Sequence, residues 1–287
     1  MATDPRARIL AWACAALLVA CAGPASAPSH NPAGAPAAPI AIAADQPLGW
    51  IGVAPRVKRD PGDWVPAGPQ AVIVPLPAQG LAAGAALTAI DAAGHVRHVT
   101  AGAPSKLPYG CDQNQLDVVA FAGERSAGVV AGVSGATAAV AAAPGPVWLL
   151  PPDAPASWRP GPLVIGPPVA ATAASRRDTV GPLVLELTRT DATHGTLAIQ
   201  RAGKTIYTAP IVREPMAGAP DDPLDLRGAG IAIPVPVAAW SFGPAGPILL
   251  VLRVASYEGT HLTPLLVEAD RARALPAMAT YLYSCAF

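Results

Sequence analysis

An acidic and an imidazole side chain stand three residues apart near the end of the chain, in the sequence Glu258-Gly259-Thr260-His261. A carboxylate and an imidazole that both reach a substrate can transfer a proton, so Glu258 and His261 are the candidates for catalysis. The same residues suit a polar tight turn between two strands, which requires no chemistry. We interpret them as such a turn and expect no catalytic residue in the chain.

Other residues that could bind a metal ion are spaced unfavourably for it. His95 and His98 are three apart on a predicted strand, so their side chains point to opposite faces and cannot share one ion. His194 stands beside Asp191 in a predicted hairpin turn, where it caps the turn or is solvated. The aspartates within residues 221–225 lack the spacing of a calcium loop with its bidentate glutamate. The sequence therefore predicts no metal site.

Two short motifs resemble parts of catalytic signatures but are incomplete. Residues 202–205, Ala-Gly-Lys-Thr, end like a phosphate-binding loop, yet Ala198 stands where that motif needs glycine and the segment joins two strands. Residues 132–135, Gly-Val-Ser-Gly, miss the nucleophile-elbow pattern by one place and lack a following helix. We therefore expect no cofactor and no serine nucleophile.

Trp64 and Trp158 are embedded in polar loops that also contain proline. An exposed indole has an apolar body and a hydrogen-bond donor, and such rings frequently anchor glycans or protein partners. Alternatively, each ring covers the end of a sheet. These two tryptophans are the candidate binding residues of the sequence.

The N-terminus has the pattern of an export signal. Arg6 and Arg8 form a short positive region, and residues 9–20 are an uncharged apolar run. A run of this length is too short to span a bilayer but suits the apolar region of a signal peptide. We therefore predict a signal peptide over residues 1–20.

Residues 18–21, Leu-Val-Ala-Cys, resemble the lipobox of bacterial lipoproteins. The resemblance implies cleavage before Cys21 and acylation of its thiol, with palmitate among the acyl chains. The membrane would then be a partner of the protein, bound through this lipid anchor. Ala22, rather than aspartate, follows the cysteine and implies the outer membrane. An ordinary secretory signal with an incidental cysteine is the alternative.

Two of the four cysteines remain if Cys14 leaves with the signal and Cys21 carries lipid. Cys111 and Cys285 would then lie in an oxidising compartment, where two thiols most often pair. Such a disulfide would close a loop of about 175 residues and stabilise the fold by about 5 kcal/mol in the chain-entropy model. Two separate buried thiols or a metal pair are the alternatives.

The charge balance and composition exclude some classes of protein. With 19 basic and 19 acidic residues, the chain has no net field that would attract nucleic acid, and no such partner is expected. Its 35 prolines and 27 glycines indicate many turns and extended segments. Residues 21–46 are rich in proline and alanine, with no bulky apolar residue before Ile40, and predict a lipidated tether.

Beyond the tether, apolar and polar residues alternate with a period of two. Residues 183–211 predict three consecutive antiparallel strands with the leucines and isoleucine at alternate positions facing the core, and residues 87–99 and 248–267 predict further hairpins. We predict a mainly β fold of antiparallel, sandwich-like sheets, in one large or two closely packed β domains.

The end of the chain and its proline-rich middle complete the predicted organisation. Leu275, Met278, Leu282 and Cys285 recur at helical spacing and predict a short C-terminal helix. Residues 151–168 contain seven prolines and separate a β domain or half-sandwich over residues 47–150 from a β domain over residues 169–287.

These observations predict a lipid-anchored cell-envelope protein, facing the periplasm or the cell surface, that acts by binding or assembly with an envelope protein or glycan partner. A glycan- or peptide-binding module that uses exposed tryptophan, or a periplasmic hydrolase, are the alternatives. Titratable groups that converge in a concave site would favour the hydrolase, and an exposed aromatic platform would favour the glycan or peptide module.

Overall fold

The computed structural model describes residues 40, 42–43, 48–53, 56–58, 64–66, 72–75, 80–108, 115–123, 140–141, 145–155, 158, 160–214, 223–243, 245–257 and 259–283. The fold is mainly β, and its sheets are antiparallel, as the alternation in the sequence predicts. Within these ranges, no helix is both long and apolar enough to cross a membrane.

The strands are numbered in chain order. They are β1 Trp50–Val53, β2 Arg56–Lys58, β3 Trp64–Pro66, β4 Val72–Pro75, β5 Ala86–Asp91, β6 Val96–Pro108, β7 Gln115–Gly123, β8 Val140–Ala141, β9 Pro146–Leu150, β10 Gly161–Pro162, β11 Ala170–Ala171, β12 Ser175–Val180, β13 Leu183–Arg189, β14 His194–Arg201, β15 Lys204–Val212, β16 Pro234–Ser241, β17 Ile248–Ala255, β18 Gly259–Val267, β19 Ala272–Ala274 and β20 Thr280–Tyr283.

The first part of the fold is a closed six-stranded barrel of order β1-β4-β7-β6-β5-β9. Alternate residues of its strands, including Val74, Phe121 and Leu149, form one buried cluster that fills the interior. A Cβ atom at Gly52 would lie 2.6 Å from a methyl group of Val72, so only glycine fits there. Closure of the barrel leaves these six strands without a free edge.

A six-stranded sheet, which we call the middle sheet, packs against the barrel. Its order is β10-β16-β17-β18-β19, and β20 also pairs with β18. Residues 248–252 are all buried, because one face of β17 contacts the barrel and the other contacts a second sheet. Leu249 and Val251 face the barrel, whereas Leu250 and Leu252 face the other way. Two covered faces explain the uninterrupted apolar run in the sequence.

A five-stranded sheet of order β11-β12-β13-β14-β15 forms the outer layer. The predicted meander over residues 183–211 is confirmed, because β13, β14 and β15 pair in succession through short turns. The alternate residues predicted to face the core are all buried: Leu183, Leu185, Leu187, Leu197 and Ile199. The hairpins predicted over residues 87–99 and 248–267 are also present, as β5–β6 and β17–β18.

The predicted C-terminal helix is wrong in its secondary structure. Leu275, Met278 and Leu282 are buried, as the predicted stripe requires, but Leu275 precedes a 3₁₀ turn over Pro276–Met278 and Leu282 lies on strand β20. Strand β18 offers β20 a ladder of backbone hydrogen bonds, and residues 280–283, Thr-Tyr-Leu-Tyr, have high β propensity. Cys285 lies outside the described residues.

Some described residues of the two predicted connections are part of the packed fold. Ile42 and Leu48 are buried in the core between the barrel and the middle sheet, so the folded part begins before residue 47. Within the proline-rich segment, β10 pairs with β16, and Ile165 bridges to Val180. Apolar side chains of these segments pack against the cores on either side of the middle sheet, and this burial offsets the cost of ordering the segments.

Candidate functional site

Of the two candidates for catalysis, only His261 lies in the described part of the chain. Glu258 lies outside it, and His261 lies on β18 with its ring packed on Tyr281, the two ring centroids being 4.4 Å apart. Desolvation lowers the pKa of His261 below its ordinary value, although much of the residue remains exposed. Its neighbours Thr260 and Leu262 line a cavity, and His261 points to the opposite face of the strand.

Trp158 is not an exposed platform. The residue is only 5% exposed, and its ring meets Phe242 edge to face with centroids 5.0 Å apart. Trp148 and Trp240 pack in the same aromatic cluster, between the barrel and the middle sheet. Trp158 therefore covers a sheet, which is the alternative to an exposed binding residue. Trp64 pairs through its backbone with Lys58, in the β2–β3 hairpin.

The polar turns singled out in the sequence bind their own backbone. Asp191 accepts hydrogen bonds from the backbone N–H groups of Thr193 and His194, both at 2.8 Å. The bond from Thr193, followed by the hydrogen bond with the His194 ring and the bond from the His194 backbone, lowers the pKa of Asp191 to about 2. No group of three or more metal-ligating side chains occurs among residues whose positions the structure describes. Cys21, Cys111 and Cys285 all lie outside that set.

A cavity of about 510 Å³ lies where the barrel meets the middle sheet. The barrel contributes the ends of β1 and β9, where Val53 pairs with Pro146. The middle sheet contributes Arg253 and Ala255, which follow Leu249 and Val251 at alternate positions on the same face of β17. The described lining residues are Val53, Gly145, Pro146, Ala229, Val237, Arg253, Ala255, Thr260, Leu262 and Leu282.

Arg253 is the single charged residue in this described lining. It occupies the next position of the barrel-facing row after Val251, where the aliphatic core ends and the cavity begins. The residue is half-buried, and its guanidinium forms no hydrogen bond or ion pair with any residue that the structure describes. Partial burial without a partner is costly for a guanidinium, because the group loses some of its hydration.

The wall that carries Ala229 is fixed by a buried ion pair in the outer sheet. Arg176 and Asp178, 7% and 1% exposed, are joined by a hydrogen bond of 2.8 Å from Nε to Oδ2. Arg176 also donates through Nη1 to the carbonyl of Gly228, at 2.8 Å. Further along, Ala232 donates its N–H to the carbonyl of Ala255, at 2.7 Å. The segment between these two bonds is thus held against the cavity.

The chemistry of the described lining suits binding better than proton transfer. It combines one guanidinium, one hydroxyl from Thr260 and mostly aliphatic walls. A guanidinium remains protonated at any physiological pH and therefore serves poorly as a general base. Sequence reasoning missed Arg253, although a basic residue that ends the apolar run of β17 was a visible signal.

Comparison of the chain with protein-family models, curated proteins and solved structures finds no match. The cavity at Arg253 is therefore interpreted from its own geometry and chemistry.

Proposed function

We propose that this chain is a lipid-anchored cell-envelope protein that acts by binding, and that the cavity at Arg253 is its binding site. One observation supports the binding role most directly: a half-buried guanidinium without a described partner opens into a cavity of about 510 Å³. Ligand sites are concave and mostly apolar, with a few polar groups that fix orientation.

The membrane anchor rests on the N-terminal sequence. The positive region, the apolar run and Cys21 after Ala20 support cleavage before Cys21 and acylation of its thiol. Ala22 supports retention in the outer membrane, with the folded part facing the periplasm or the surface. Labelled palmitate should enter the wild-type chain and not Cys21→Ser, and only the wild type should sediment with outer membranes. Equal labelling of the wild type and Cys21→Ser would contradict the proposed lipid anchor.

A disulfide between Cys111 and Cys285 is part of the same proposal, because an exported chain meets an oxidising compartment. Alkylation without reductant, followed by mass spectrometry, should find both thiols blocked and one peptide pair joined by the disulfide. Reduction before alkylation is the control, and it should release both thiols. Two freely alkylated cysteines in the unreduced protein would contradict the pairing.

The binding role is tested in a strain that lacks the gene, by complementation of its envelope phenotype. Ala255→Trp places an indole in the cavity and should abolish complementation, whereas His261→Ala and Glu258→Ala should complement fully. Val164→Trp, at a residue 81% exposed on the surface, is the matched control for adding an indole. Full complementation by Ala255→Trp, or its loss in either of the other two variants, would contradict the proposal.

A further inference from the structure

We propose that the cavity binds a small amphiphile that joins one anionic group, a carboxylate or a phosphate monoester, to an apolar body. The inference rests on the proposed binding function and specifies its ligand. Its two components are recognised by different parts of the cavity: the guanidinium of Arg253 binds the anion, and the aliphatic walls contact the body.

The position of Arg253 favours a bound anion over an internal ion pair. Among the residues that the structure describes, no carboxylate lines the cavity, and Arg253 has no acidic partner. A guanidinium presents a planar fork of N–H donors that matches carboxylate and phosphate oxygens. An anion bound there would offset the partial desolvation of the charge, which gives the ligand a favourable electrostatic contribution.

Thr260 provides a second donor beside the guanidinium. In the β17–β18 ladder, Arg253 pairs with Leu262 and Ala255 pairs with Thr260, so Arg253 and Thr260 are diagonal neighbours on one face. Diagonal neighbours lie within reach of a long side chain. The hydroxyl of Thr260 forms no hydrogen bond with a described residue and can donate to a second oxygen of the same anion.

The remaining walls suit an apolar body. Val237, Leu262 and Leu282 project from the middle sheet, and Val53 and Pro146 close the opposite side. A volume of about 510 Å³ falls within the usual range of small-molecule sites, roughly 300–1,000 Å³. A free inorganic anion would leave these walls uncovered. A sugar would place hydroxyls against aliphatic side chains that cannot bond to them.

Binding is tested with the full chain in nanodiscs of neutral phosphatidylcholine, with empty nanodiscs as the blank. Hexanoate, hexyl phosphate, hexanol and acetate are titrated, and saturation-transfer NMR reports the affinity of each. At least one of the two amphiphilic anions should bind at least tenfold more tightly than hexanol and acetate. Whichever anion binds better identifies a carboxylate or a phosphate as the group recognised.

Variants then assign the selectivity to the guanidinium. Arg253→Met should weaken binding of the preferred anion at least tenfold and leave the affinity for hexanol unchanged. Arg253→Lys should retain part of the preference for the anion over hexanol. Arg177→Met, which removes an exposed arginine from the outer sheet, is the matched control and should bind as the wild type does. An unchanged unfolding midpoint in Arg253→Met separates lost recognition from lost folding.

The outcomes separate this inference from the proposed function. If hexanol binds as tightly as both anions, or if Arg253→Met binds them normally, the ligand is not recognised by its charge and the inference is overturned. Absence of binding by all four probes also overturns it. The binding function itself stands or falls on complementation by Ala255→Trp, which does not depend on the identity of the ligand.

Discussion

Thr280 donates its hydroxyl to the carbonyl oxygen of Ile51 across a distance of 3.0 Å, although the two residues are 229 positions apart in the chain. The bond joins β20 of the middle sheet to β1 of the barrel. Two residues further along each strand, Leu282 and Val53 line the cavity. The hydrogen bond therefore holds the two sides of the candidate site together.

Thr280→Val should destabilise the protein by about 1–3 kcal/mol, because the buried carbonyl of Ile51 would lose its donor while the side-chain shape is kept. Urea unfolding followed by tryptophan fluorescence measures the change. Thr280→Ser keeps the hydroxyl and should recover most of the loss. Equal stability of wild type and Thr280→Val would show that water or another donor satisfies this carbonyl.

Leu185→Ala should cost roughly 2–5 kcal/mol in unfolding free energy, since Leu185 is fully buried between the outer and middle sheets. Its neighbour Val184 points to the other face of β13 and is half-buried, so Val184→Ala is the matched control with a smaller cost. Urea unfolding again reports both. Similar losses in the two variants would contradict the assigned faces of the strand.

Arg176→Met should destabilise the protein by about 3–5 kcal/mol, because Asp178 would remain as a buried charge without its partner. The double variant Arg176→Met with Asp178→Leu removes both charges and should recover most of this loss. Comparison of unfolding free energies for the single and double variants measures the coupling. A double variant as unstable as the single one would show that the bond from Arg176 to Gly228 dominates.

The outer sheet could be predicted from sequence because only one of its faces is buried. Leu185 and Ile199 alternate with exposed or half-buried residues, and this period of two is typical of a sheet that is buried on one face. The same reasoning is less informative for residues 248–252, where both faces are covered and every residue is apolar. An apolar run of this kind does not reveal which layers lie on either side.

The features that the sequence alone does not reveal share a cause in tertiary contacts. The spacing of Met278 and Leu282 fits a helix, but the open edge of β18 provides backbone partners that make a strand more favourable. Trp158 stands among polar residues in the sequence, yet Phe242, which is distant in the chain, covers its ring. Arg253 becomes a site residue only because the barrel closes one side of the cavity. None of these long-range contacts is encoded in local periodicity.

Stability should fall as the pH is lowered towards 5, with a contribution from His261. Desolvation places the pKa of His261 in the folded protein below its ordinary value of 6.5, so the unfolded chain binds the proton more tightly. The loss of stability from His261 begins as the pH falls through its pKa in the unfolded chain, and it is complete once the pH is below its pKa in the folded protein. Urea midpoints at pH 8 and pH 5 should therefore differ less in His261→Gln than in the wild type.

The pKa itself is measurable from the imidazole resonances by NMR. Tyr281→Ala removes the ring that packs on His261 and should raise the pKa towards 6.5, because more water reaches the imidazole. Tyr281→Phe keeps the ring and is the matched control, with a pKa close to that of the wild type. A pKa at or above 6.5 in the wild type would contradict the desolvation argument. Protonation of His261 would then no longer lower the stability of the protein as the pH falls.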